Sequence, residues 1–236
     1  MDSIFKNKVI IWLSVYSVLM LGAFGWLAYL ANRYDYFGFD LAFSVWFQGF
    51  TAVWLDKIMA WVSYPGYPPQ MGYVVGVCFL YMAFRKWWRE VLVYLSVFWM
   101  ENNWAYPTKY MVDRIRPSPE LVNVVNVGLE GGTNSFPAGH VLTYVCFFGF
   151  FGIVIYRRMK SSLVRNLILV IIGILISLIG LSRVYTGEHW ISDSIGGYMV
   201  GSVVLSVNLI LYELINKIDM MAIVHKFNYK KLKHGE

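Results

Sequence analysis

Between Val9 and Asn32 the chain runs for 24 residues without a charged side chain, and this run restricts the fold more than any other feature. About 20 apolar residues in a helix cross the hydrocarbon core of a bilayer, where each backbone N–H and C=O must find its partner inside the segment. The run is longer than the apolar core of a signal peptide, and no clear small-residue cleavage site follows it. It is therefore expected to remain as a membrane anchor.

Other apolar runs follow, and the composition agrees with them: 58% hydrophobic, 18% aromatic and 14% charged residues, with a mean hydropathy of +0.53. We expect an all-α integral membrane bundle of six transmembrane helices, with short interfacial helices on the outer face. The spans are placed at about 9–30, 70–84, 88–106, 140–156, 163–181 and 190–212. Several fall short of the roughly 20 residues a bilayer demands, so their ends must borrow flanking polar sequence. No linker, repeat or low-complexity tract divides residues 1–236, which read as a single membrane domain.

The net charge of +6 does not form a nucleic-acid-binding stripe, since Lys and Arg cluster between the apolar runs. With six spans, 14 of the 20 basic residues share a side with both termini, leaving Arg33, Lys57, Lys109, Arg114, Arg116 and Arg183 on the other. The positive-inside rule then makes the termini cytoplasmic and the Arg183 end the outer face. Cys78 and Cys146 fall inside apolar runs and are expected to pack rather than pair.

Polar groups recur in patterns that packing alone does not require. His189 and Asp193 are four residues apart, so a helix running from about His189 would put the carboxylate on the imidazole's face, accepting one ring N–H and leaving the other nitrogen to attack. Arg183 precedes them across a Thr-Gly turn signal and offers planar donors suited to an oxyanion. In Lys109–Pro117, seven helical residues turn about 700°, which would set Lys109 and Arg116 on one face roughly 10 Å apart. Arg114 reads as a basic helix end facing lipid phosphates. Ser135 to His140 (Ser-Phe-Pro-Ala-Gly-His) opens the fourth run, and unpaired N–H groups at such a start attract anions. Glu101 lies inside the third span with no nameable partner. The aromatic segment 33–70 reads as interfacial helices, either an ordinary aromatic belt or a wall beside the path a lipid takes into the protein.

Together, Lys-x6-Arg-Pro, Pro-Ala-Gly-His and Ser-Arg-x5-His-x3-Asp, in this order and each at the outer end of an expected span, resemble the type 2 phosphatidic acid phosphatase superfamily. That superfamily includes bacterial membrane lipid phosphatases, class A acid phosphatases and vanadium haloperoxidases. The resemblance implies that His189 is a nucleophile forming a phosphohistidine, that Asp193 holds its tautomer, and that His140 protonates the leaving oxygen. It also implies a phosphate clamp of Lys109, Arg116, Arg183 and the Gly139 N–H. The family usually has serine where this chain has Ala138, a loss of one hydrogen bond worth about 1 kcal/mol, for which Ser135 is the candidate replacement.

The residues support that chemistry in their own right. A phosphomonoester needs a proton donor for its leaving group and cations for its equatorial oxygens. No carboxylate cluster is evident for Mg²⁺ or Zn²⁺, so neither metal nor other cofactor is expected. The expected activity is metal-independent hydrolysis of a terminal phosphate on an outer-leaflet lipid, such as undecaprenyl pyrophosphate, phosphatidylglycerol phosphate or phosphatidic acid. The alternatives are a lipid-to-lipid phosphotransferase and a non-catalytic lipid-phosphate binding or transport protein. The expected partners are the bilayer and the lipid substrate, with no nucleic acid and no obligatory protein partner.

Overall fold

The computed structural model describes residues 3–125 and 134–234, with side chains described except at 3–6, 104–106 and 219–234. Regular structure among the described residues is helical throughout. In chain order it comprises α1 (Ser3–Arg33), α2 (Gly38–Gln48), α3 (Val53–Ser63), a short 3-10 turn (Tyr64–Gly66), α4 (Gln70–Phe84), α5 (Trp88–Val112), α6 (Gly139–Thr143), a π turn (Tyr144–Phe148), α7 (Gly149–Arg158), α8 (Leu163–Tyr185) and α9 (Ile191–His234).

Each expected span falls on one helix or on the joined α6–α7 stretch. Four of these stretches are long and apolar enough to cross a membrane, namely Asn7–Arg33, Gly139–Arg158, Leu163–Tyr185 and Ile191–Ile218. Of the other two, α4 is apolar but short, and α5 carries Arg89, Glu90, Glu101 and Lys109 along its length. The chain is a multi-pass membrane protein, and Trp12, Leu19, Trp26, Leu163 and Ile171 stand exposed on its apolar surface.

Lipid tails are as apolar as leucine, so close packing and buried polar bonds hold such helices together more than burial of apolar area does. One packed cluster joins Met82 of α4, Val93 and Tyr94 of α5, Phe147 and Phe150, and Val200 and Val204 of α9. A second joins Val62 of α3, Val141 and Tyr144, and Ile172 and Ile179 of α8. Both meet on the 139–158 stretch, which is thereby pinned from two sides. Its π turn is held by Tyr144, whose hydroxyl donates to the Val62 carbonyl at 2.6 Å. At the end of the bundle away from His140, buried Glu90 accepts from Arg158 Nε at 2.6 Å and Tyr212 Oη at 2.5 Å, tying α5, α7 and α9.

The 33–70 segment is more than the aromatic belt its composition suggests. Trp46, Trp54, Trp61 and Tyr64 are exposed as a belt would be, but Asp40, Ser44 and Ser63 are buried. Ser63 Oγ lies 2.6 Å from Ser182 Oγ of α8. An alternation of outward aromatics and inward polar groups makes this segment a wall of the site described next.

Candidate active site

The Arg183–Asp193 stretch folds as a turn between two helices. α8 ends at Tyr185, and the Arg183 carbonyl accepts from the N–H groups of Glu188 and His189 at 3.1 and 3.2 Å. Gly187 makes the reversal with φ +69°, and a Cβ there would lie 2.2 Å from the Asn123 carbonyl oxygen, so only glycine serves both needs. α9 begins at Ile191, two residues after His189. The expected helical i,i+4 geometry therefore does not place the pair. Asp193 instead caps the new helix, its Oδ2 accepting from Trp190 N at 2.9 Å.

His189 is buried, and its two ring nitrogens face different groups. Nε2 lies 3.3 Å from Arg116 Nη1, which also donates to the Glu188 carbonyl at 2.9 Å. Nδ1 lies 3.5 Å from Asp193 Oδ2, beyond a strong hydrogen bond. The Ser135 hydroxyl bridges that gap, 3.3 Å from Nδ1 and donating to Asp193 Oδ2 at 2.5 Å. Ser135 is thus committed to the orienting side of the ring and does not substitute for a hydroxyl at Ala138. Ala138 is fully buried in the second apolar cluster, with its N–H on the Asp193 carbonyl at 3.0 Å. Burial, and then the charges of Arg116, Arg183 and Lys109, hold the His189 imidazole well below its ordinary range, with a smaller opposing contribution from a Ser135 main-chain hydrogen bond. That shift favours the neutral ring, the form in which an imidazole nitrogen is able to attack an electrophile.

Arg114 does not face lipid phosphates. α5 stops at Val112 because Asp113 takes a left-handed conformation, φ 44°, its N–H bonding back to the Lys109 carbonyl at 3.0 Å. Lys109 and Arg116 consequently do not share a helix face, since Arg116 belongs to the loop beyond. The same break turns Arg114 inward, where it is almost fully buried. Its Nη1 donates to Asp193 Oδ1 at 2.6 Å and its Nη2 to Asp40 Oδ2 at 2.9 Å. Asp40 Oδ1 in turn accepts from Ser192 N at 2.9 Å. A buried Asp40–Arg114–Asp193 chain therefore fixes the carboxylate behind His189, satisfying every member as buried charges require.

Arg183 is buried against Glu188, to which Nη2 is paired, while Nη1 donates to Tyr67 Oη at 2.8 Å. Burial is the main cause raising the Tyr67 phenol above its ordinary value, so it keeps its proton and donates to Glu188 Oε1 at 2.6 Å. The Tyr67 ring meets the His140 ring edge to face, with centroids 4.8 Å apart. A Cβ at Gly66 would fall 2.2 Å from His140 Cδ2, so no larger residue fits there without displacing that ring.

His140 lies within electrostatic reach of Arg183, His189, Lys109 and Arg116. Lys109 Nζ stands 3.6 Å from where a Gly139 Cβ would be. All seven residues singled out in the sequence thus gather at one end of the bundle: His140, His189, Asp193, Lys109, Arg116, Arg183 and Gly139. Glu101, without a nameable partner in the sequence, accepts from Thr143 Oγ1 at 2.6 Å. Asp40, Tyr67 and Glu188 escaped the sequence reading of this site, because isolated polar residues in aromatic or turn sequence carry no spacing signal. Among the described residues no group of three or more His, Cys, Asp or Glu side chains is placed to hold a metal ion.

Known proteins resemble this chain in sequence and in fold. Residues 90–216 match the family model of the PAP2 superfamily. Phosphatidylglycerophosphatase B of Bacillus subtilis is 26% identical over 150 residues, covering 63% of this chain and 70% of that protein. The fold is similar to the crystal structure of a transmembrane PAP2-type phosphatidylglycerolphosphate phosphatase from Bacillus subtilis, with a TM-score of 0.67 and 23% identity over 81% of this chain and 93% of that one. It is also similar to LpxE of Aquifex aeolicus, with a TM-score of 0.54 and 21% identity over 74% of this chain and 97% of that one. A family match over more than half the chain, on a multi-pass helical fold, shows that this protein belongs to the PAP2 superfamily.

Proposed function

We propose that the protein hydrolyses the terminal phosphate of a membrane lipid through a phosphohistidine on His189. The observation that carries this reading is the two-sided environment of that ring: Nδ1 engaged by the Ser135–Asp193 pair, Nε2 turned toward Arg116. Nε2 attacks phosphorus, and the bond to the lipid oxygen breaks as His140 gives that oxygen a proton. A phosphoryl dianion in the cationic cluster offsets its charge and so favours the protonated His140 more than the empty site does. Water then attacks the phosphohistidine, His140 takes its proton, and the P–N bond breaks to release inorganic phosphate. Lys109, Arg116, Arg183 and the Gly139 N–H meet the equatorial oxygens, where spread charge must be balanced. Asp193 stabilises the imidazolium through Ser135.

The relatives' names favour phosphatidylglycerol phosphate as substrate, with phosphatidic acid and undecaprenyl pyrophosphate as the other candidates. Purified protein in detergent is expected to release phosphate from at least one of these. Chelator should change the rate by less than about twofold, because cations of the protein itself meet the phosphoryl charge. Vanadate, a mimic of the five-coordinate transition state, should inhibit. Activity lost in chelator would sink the metal-free mechanism, and label recovered on added diacylglycerol rather than in free phosphate would make the protein a transferase.

We also place the site at the outer face with both termini cytoplasmic, on the basic asymmetry of the loops. Native Cys78 and Cys146 are buried, so single cysteines introduced at exposed positions report cleanly. Glu120→Cys is expected to react with an impermeant thiol reagent on intact cells, and Ser161→Cys only after lysis. The opposite pattern would reverse the orientation.

A further inference from the structure

Glu101 takes no part in the chemistry proposed above, yet it lies beside it. Its carboxylate accepts from Thr143 Oγ1 at 2.6 Å, and the same hydroxyl lies 2.9 Å from the Gly139 carbonyl oxygen. Lys109 on the same helix is within electrostatic reach of Glu101, and its ammonium borders Gly139. Thr143 follows His140 by three residues, so the two share a side of the helix about 4.5 Å apart along its axis. That helix runs from Gly139 into the span, away from the cationic cluster. Glu101 therefore sits one turn below His140, on the bilayer side of the phosphate cluster.

His140 faces the leaving oxygen, and the body of a lipid must pass from that oxygen toward the hydrocarbon. A group bonded to the leaving oxygen and directed toward the hydrocarbon along α5 would meet the Glu101–Thr143 pair. In a phosphomonoester of glycerol type this is an uncharged carbon chain, and a hydroxyl on it can donate to a carboxylate. In a lipid diphosphate it is a second phosphate, whose negative charge would stand against Glu101 where water is partly excluded.

We propose that Glu101 is a specificity-determining residue that selects lipid phosphomonoesters of hydroxyl-bearing, glycerol type over lipid diphosphates, an inference that rests on the phosphatase reading above. The Lys109 charge does not remove the discrimination, because Lys109 is engaged by the transferring phosphoryl in both substrate classes.

The test is kcat/KM for phosphate release by the purified full chain from phosphatidylglycerol phosphate and from farnesyl diphosphate. Wild type is expected to favour the monoester. Glu101→Gln keeps the shape and the acceptor for Thr143, and should raise the diphosphate-to-monoester ratio about tenfold or more by removing the like charge. Glu101→Asp keeps the charge and should hold the ratio within about threefold. A ratio unmoved by Gln, moved equally by Asp, or already favouring diphosphate in wild type overturns the proposal while leaving the phosphatase reading intact. No phosphate release from either lipid by wild type would overturn both.

Discussion

Replacing His189 with alanine is expected to lower phosphate release by at least about 10³-fold, because the proposed mechanism then loses its attacking nitrogen and water alone must do its work. Labelled substrate should leave no acid-labile phosphate on the variant protein. His140→Ala keeps the nucleophile, and should still form phosphoenzyme from an aryl phosphate, whose leaving group needs no proton. Label attached to the His189 variant would show that another group attacks.

The environment of His189 also sets the acid limb of the pH profile. Burial and three neighbouring cations depress its pKa well below the ordinary histidine value, so the fold holds the ring neutral. In the unfolded chain it would charge below about pH 6.5. Two consequences share that sign. The contribution of His189 to stability falls as pH drops below the unfolded value, whereas kcat/KM, after correction for titration of the substrate phosphate, keeps its His189-linked limb well below pH 6.5. A limb at the ordinary histidine value would mean that neither burial nor the cations depress this ring.

Arg114→Met is expected to have the largest effect on stability. It leaves Asp193 and Asp40 as buried carboxylates deprived of their shared cation, and breaking such a pair from one side typically costs about 3–5 kcal/mol. Thermal unfolding in detergent should show this directly, or the variant should fail to accumulate. Asp40→Asn retains the Arg114–Asp193 bond and should cost less. Adding it to Arg114→Met should recover part of the loss, since one of the two stranded charges is then gone. An Arg114→Met protein within about 1 kcal/mol of wild type would show that the buried chain does not hold Asp193 in place. Activity tells the same story on a second axis, because a displaced Asp193 no longer holds Ser135 against the nucleophile.

The apolar helices were legible because the signal for them is local. An apolar run has to become a helix wherever water is absent, so 9–30, 70–84 and 163–181 appear as α1, α4 and α8 with no information from elsewhere in the chain. The gathering of His140, His189, Asp193, Lys109, Arg116, Arg183 and Gly139 was legible for a related reason. Each lies where an apolar run begins or ends, and helices that cross together bring such ends into one layer.

What each polar group touches was decided by the tertiary structure alone. Arg114 and Arg116 stand two residues apart in one basic stretch, yet one is locked between Asp193 and Asp40 while the other faces His189 Nε2. The left-handed Asp113 that releases both from the helix follows a sequence with no glycine there to mark the stop. Asp40 meets Ser192 across 152 residues of chain, and Tyr67 meets Glu188 across 121. Spacing rules cannot reach such pairs. A charge reads the same in sequence whether it ends among lipid headgroups or against a buried carboxylate, and only packing, which makes an unpaired buried charge prohibitive, selects between the two.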